Sequence, residues 1–154
     1  MRKSDKSAPR SISPEYLAAL IDGEGCIRIA HYQRPYQFQL VVTIKMNAVA
    51  EPLIRQIHEE HGGTFYVPRV YTTTRKEGPQ VQVRWSGGEA AKLLATVGPY
   101  LRLNGLRKEL ALMFEEERVG DYRNPGRHAK HSEWYQNSLG PAVHQTSKLL
   151  NRFE

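Results

Sequence analysis

Residues 17–25, Leu-Ala-Ala-Leu-Ile-Asp-Gly-Glu-Gly, constrain this chain more than any other stretch. From Tyr16 to Asp22 small and branched-apolar side chains follow one another with almost nothing polar, as in a helix that packs. Ala18 and Ala19 carry little bulk, so another backbone can come close to them. The run Asp22-Gly23-Glu24-Gly25 then places two carboxylates where glycine should stop the helix. A helix C-terminus carries negative partial charge and repels carboxylates, so acids placed there need a cation or another compensating partner. The segment therefore predicts a metal site at the foot of a packed helix.

The 154 residues suit one domain with a real core, and 22 Lys and Arg against 16 Asp and Glu leave a formal charge of +6. That balance favours a polyanionic partner. No apolar run approaches the roughly 20 residues of a membrane span, so no membrane association is expected. A single cysteine, Cys26, excludes an internal disulfide and fits a reducing compartment. The first residues lack the apolar core of a secretory signal; residues 1–12 read as a disordered basic tail. The expected location is intracellular: a bacterial or phage-host cytoplasm, or an organelle matrix or stroma.

The spacing predicts an α+β domain. Ser13 as N-cap, Pro14 at the first helical position and Glu15 in the first turn start a helix that runs to about Ile21. Two alternating stretches, Cys26 to Tyr32 and Tyr36 to Met46, should pair as a hairpin around Gln33-Arg34-Pro35. A helix over 48–61 ends at Gly62-Gly63, and a second pair of strands covers 64–74 and 80–85. Helices over 88–97 and 103–118 follow, separated by the Gly98-Pro99 break. The core domain is thus expected over 13–118, with 119–154 a loop and a last helix (141–153) extending the same domain.

On this order and on residues 17–25 the chain resembles the LAGLIDADG homing endonucleases. Leu17, Ala18, Leu20, Ile21, Asp22 and Gly25 match the signature; Ala19 and Gly23 keep the size small, and Glu24 keeps the second carboxylate. Pro99-Tyr100-Leu101-Arg102-Leu103-Asn104 is similar to the family's Pro-Phe-Leu-x-Leu-Lys stretch. The resemblance implies the αββαββα fold, with a twisted antiparallel sheet that binds double-stranded DNA. One copy of the signature implies a homodimer, packed through Leu17, Ala18, Ala19 and Ile21. It further implies Mg²⁺ held by Glu24 and the Gly23 carbonyl, with no organic cofactor. Asp22 takes a helix-end or electrostatic role. Asn47, or else Lys45, stands for a glutamine that orders water. Asn104 replaces the family's lysine, and Arg102, Arg107 or Lys108 would have to supply the missing cation.

The polar sides of the strands carry Arg28, Gln37, Gln39, Thr43, Lys45, Gln80, Gln82 and Arg84, with no acid between Cys26 and Met46. Arg and Gln make bidentate contacts to guanine and adenine edges, and a β-ribbon fits the major groove. Gln33, Arg34, Tyr36, Arg75 and Lys76 at the hairpin tips, with Arg69 and Tyr71 on the third strand, complete the expected DNA-binding set. The expected activity is site-specific, Mg²⁺-dependent cleavage of both strands at a long pseudo-palindromic target, leaving short 3′ overhangs. A non-cleaving DNA-binding regulator and an RNA-splicing maturase are the alternatives. His128 and His131 lack cysteine partners and have basic neighbours, which argues against zinc. Cys26 reads as a small filler, Glu115-Glu116-Glu117 as a solvated helix face, and Trp85, Tyr100 and Phe114 as core.

Overall fold

The computed structural model describes residues 10–33, 36–67, 78–120, 141, 142 and 144–146. Helix α1 (Pro14–Glu24) opens as expected, with the Ser13 hydroxyl accepting from the Tyr16 N–H. It does not stop at Gly23. It runs through Glu24, and strand β1 (Gly25–Gln33) begins at the next residue. A Cβ on Gly25 would lie 2.6 Å from both the Cα and the carbonyl oxygen of Ile21. Gly25 is therefore required for space, whereas a Cβ on Gly23 would meet nothing within 4 Å.

Strand β2 (Tyr36–Asn47) returns antiparallel to β1. The helix expected from 48 divides into a single 3-10 turn (Ala48–Ala50) and α2 (Glu51–His61). Pro52 suits the first turn of α2, and the Asn47 side chain caps the 3-10 turn by accepting from the Val49 N–H at 3.1 Å. Gly63, at φ 85°, lies so close to the Trp85 ring that a Cβ would sit 2.8 Å from its Nε1. Strands β3 (Thr64–Tyr66) and β4 (Gln80–Ser86) follow, then α3 (Gly88–Val97) and α4 (Gly105–Gly120). Residues 68–77, including Arg69, Tyr71, Arg75 and Lys76, lie outside the described residues, as do Arg34, His128 and His131.

The four strands form one antiparallel sheet in the order β1-β2-β4-β3. Alternation decides its faces. Ile27, Ile29, Phe38, Leu40, Val42, Ile44, Val81, Val83 and Trp85 are buried against the helices, together with Leu17, Ile21, Ile54, Ile57, Leu94 and Phe114. The described helices pack on this face; the opposite parity carries the polar side chains, although Val41 within it is buried.

Two expectations are corrected by packing, and a third residue gains a role. Ile12 belongs to the core, and Ser11 Oγ and the Ile12 N–H both donate to Glu60 Oε2. Residues 1–9 lie outside the described residues. Tyr100 is 42% exposed, not core, and Glu115 is buried rather than solvated, because the α4 face it occupies turns inward beside Phe114 and Ala111. Near the other end of the chain, a ring nitrogen of His144 sits 2.9 Å from the Ile29 carbonyl of edge strand β1.

Candidate nucleic-acid interface and metal site

The outward parity builds a polar surface in rows. Register sets Cys26, Thr43, Arg84 and Thr64 side by side across all four strands. The next row toward the α1 end holds Lys45, Gln82 and Tyr66, and beyond it Asn47 pairs with Gln80. In the opposite direction come Arg28, Val41 and Ser86, then Ala30 with Gln39, then Tyr32 with Gln37. Arg28 and Lys45 are exposed, whereas Gln39, Thr43, Gln80, Gln82 and Arg84 are half-buried. No described residue of the four strands is acidic. Of the expected interface residues, these seven share one surface; the side chains of Gln33, Tyr36 and Gln37 lie outside the described set. Tyr32, Thr64 and Tyr66 join them; period-two counting along β1 from Arg28 reaches Tyr32, whereas Thr64 and Tyr66 follow only from the register of β3 with β4.

Within this face Arg84 is a cation with no carboxylate partner among the described residues. Its guanidinium lies 5.6 Å from the centre of the Tyr32 ring, a cation–π arrangement, and its Nε is buried with no hydrogen-bond partner among the described residues. Burial, and then the like charge of Arg28, hold its pKa below the usual value. Two cations kept close without an acid between them form a surface that attracts an anion.

At the end of the sheet where α1 enters, Asp22 is fully occupied. Its Oδ2 accepts from the backbone N–H groups of Arg102 (2.6 Å) and Leu103 (3.2 Å), and its Oδ1 from the Asn104 N–H and side-chain amide (both 3.0 Å). Asp22 thus caps the turn that opens α4, 82 residues away in sequence, and is not an open catalytic acid. Asn104 is 3% exposed, and its amide also donates to the Ile21 carbonyl, so its polar atoms are spent within the protomer. Arg102 is exposed, and Asn47 spends its carbonyl oxygen on the Val49 N–H.

Burial alone would raise the Asp22 carboxyl, but the Arg102, Leu103 and Asn104 donors outweigh it and hold the group below its usual 3.8. Because the folded value is the lower one, the stability this clamp contributes is complete above 3.8 and is lost as pH falls through the folded value. Asp22→Ala should cost about 1 kcal/mol near neutral pH, as loss of a helix cap does. Thermal unfolding followed against pH should show the deficit shrinking toward zero in acid. A constant deficit would show that the carboxylate charge contributes nothing.

Glu24, two residues on, is different. It is exposed, and no described residue donates to its carboxylate or pairs with it. Gly23 beside it is exposed as well. Among the described residues there is no cluster of three or more His, Cys, Asp or Glu around it.

The remaining surface of α1 corrects the expected interface. Leu17, Ala18 and Ile21 are 0% exposed inside their own protomer and have no area left to bury against a second one. Tyr16, Ala19, Leu20 and Gly23, at helical spacings of three and four, form the opposite face, of which Leu20 is half-buried and the rest exposed. That face is uncharged and includes two residues small enough for close backbone approach. Tyr100, near Glu15, is 42% exposed, and the Asp22 clamp brings in Leu103, which is 72% exposed.

No family sequence model and no curated protein matches this chain. Solved structures do. The homing endonuclease I-CvuI in complex with its target in the presence of calcium superposes with a TM-score of 0.65 at 19% identity, covering 89% of this chain and 80% of that one. The LAGLIDADG meganuclease I-AabMI bound to uncleaved DNA gives 0.58 at 20% identity, covering 89% of this chain but 44% of its own. The homing endonuclease I-TnaI gives 0.51 at 13% identity over 94% of this chain and 99% of that one. The chain has the LAGLIDADG homing-endonuclease fold.

Proposed function

We propose that this protein is a homodimeric, divalent-metal-dependent endonuclease that cuts double-stranded DNA at a specific, roughly palindromic site. One observation carries the reading: the free Glu24 carboxylate stands where the bare apolar face of α1 meets the acid-free polar face of the sheet. The sheet supplies the side chains that read base edges, with Arg28, Arg84, Gln39 and Gln82 as the principal readers and Lys45 at the phosphate nearest the α1 end. Pairing α1 with a two-fold mate through Tyr16, Ala19, Leu20 and Gly23 brings two Glu24 carboxylates to the axis.

The donors present fit Mg²⁺. A carboxylate at Glu24 and a main-chain carbonyl at Gly23 are hard oxygen ligands, both at exposed positions, and Mg²⁺ fills its remaining sites with water and phosphate oxygens. When bound, the ion screens phosphate charge, activates water and stabilises the leaving oxygen. The chain's own residues hold the duplex by its phosphates, orient it through base edges and fix Glu24 at the end of α1. Neither Asp22 nor Asn104 takes part directly, because both are committed to the α4 clamp.

Incubation with a randomised duplex library and Mg²⁺, followed by sequencing of cut ends, tests the whole reading. Short 3′ overhangs flanked by inverted half-sites are expected. Sequence-specific binding without cut ends would replace the endonuclease by a non-cleaving regulator, and preference for structured RNA by a maturase. Exchange of Gln39 for Ala or of Arg84 for Ala should relax selection at individual base pairs, at a cost of about 1–3 kcal/mol each. Uniform loss of affinity across sequences would place those side chains on phosphate instead.

A further inference from the structure

We propose that Asn104 is a positioning residue for Glu24: it locks the last turn of α1, from which that carboxylate projects. The inference rests on the reading of Glu24 as a metal ligand. The Ile21 carbonyl closes this turn by accepting the Gly25 N–H, and Asn104 Nδ2 reaches the same oxygen at 3.4 Å while bonding Asp22 Oδ1 at 3.0 Å. The other end of the amide is used too, with Oδ1 accepting from Arg107 Nη1 at 3.1 Å. One buried side chain thus ties α1, the 102–104 turn and α4 together.

Glu24 has no such tether among the described residues, so the backbone of the Ile21–Gly25 turn sets its direction. Polar networks with every member satisfied fix geometry more sharply than apolar contacts of the same size. Asparagine can play this part where lysine could not: it offers a donor and an acceptor at once and brings no charge to a site 3% exposed. The resemblance to a catalytic lysine position therefore misleads here. Asn104 touches neither DNA nor metal and acts through the turn it holds.

The full-length Asn104→Ala variant tests this by two routes. In plasmid cleavage, kcat should fall about tenfold and the Mg²⁺ concentration for half-maximal rate rise severalfold, while KM and the DNA affinity measured in Ca²⁺ stay within about twofold. In amide hydrogen exchange without DNA or metal, the Glu24 and Gly25 amides should exchange at least about tenfold faster, with β2 and β4 unchanged. Asn104→Thr, which replaces the amide by a smaller hydroxyl able to donate and accept, serves should the alanine variant not fold, and should shift both readouts in the same direction by less. Unchanged Mg²⁺ dependence together with unchanged exchange at residues 24 and 25 would overturn the proposal. Faster exchange in a protein whose wild type cuts nothing supports the positioning and overturns the endonuclease reading alone.

Discussion

Glu24→Gln should abolish strand cleavage while leaving DNA binding and the fold intact. Glutamine matches glutamate in size and lacks only the charge, so the substitution isolates what the carboxylate does. With Glu24 as the proposed metal ligand of each protomer, its loss removes several kcal/mol of metal-derived stabilisation; at about 4 kcal/mol the rate falls about a thousandfold. Stability should not change, because no described residue bonds to the Glu24 side chain and its surface is already hydrated. Binding should hold or tighten slightly, since an acid beside phosphates is replaced by a neutral amide. Nicking of supercoiled plasmid with Mg²⁺, read beside fluorescence anisotropy in Ca²⁺, separates the two effects. Undiminished nicking would remove Glu24 from the site, and loss of both binding and Tm would make it structural.

How far a sequence discloses such a site depends on whether the deciding interaction is local. The faces of the sheet were readable because β alternation is a property of neighbouring residues: Ile27 and Ile29 inward, Arg28 outward, each matched by the register with β2. The roles of Gly23 and Gly25 were not. Both look like helix stops, and only the approach of Gly25 to the Ile21 backbone, 2.6 Å from an added Cβ, shows which one cannot be replaced. The surroundings of Asn104 are hidden for a related reason: docking of α4 on the end of α1 buries it against Asp22, a contact across 82 residues. Ile12, one apolar residue among polar neighbours, gives no periodic signal; its place is set by the bond of its N–H to Glu60 on α2.

The hardest feature to read was α1 itself, and it yields the prediction that bears most on assembly. A helix apolar on all sides carries no compositional mark of which side faces its own core. The structure divides it: Leu17, Ala18 and Ile21 inward, Tyr16, Ala19, Leu20 and Gly23 outward. Two substitutions one turn apart or less should therefore act in opposite ways. Leu17→Ala opens a cavity in the protomer and should cost about 2–5 kcal/mol of stability. Ala19→Arg sits on the surface, so the isolated protomer should fold with its Tm nearly unchanged. In a two-fold pair, however, each arginine faces its symmetry mate across a close helix contact, where like charges are stripped of water and clash sterically. Leaving an unpaired buried charge in an interface costs about 3–5 kcal/mol, so dimer dissociation should rise by more than a hundredfold. Sedimentation equilibrium would show monomer at concentrations where the wild type is dimeric, and cleavage would fail because each monomer brings one Glu24. A monomeric wild type, or an Ala19→Arg protein as dimeric and as active as its parent, would mean that the outward face of α1 is not where two copies meet.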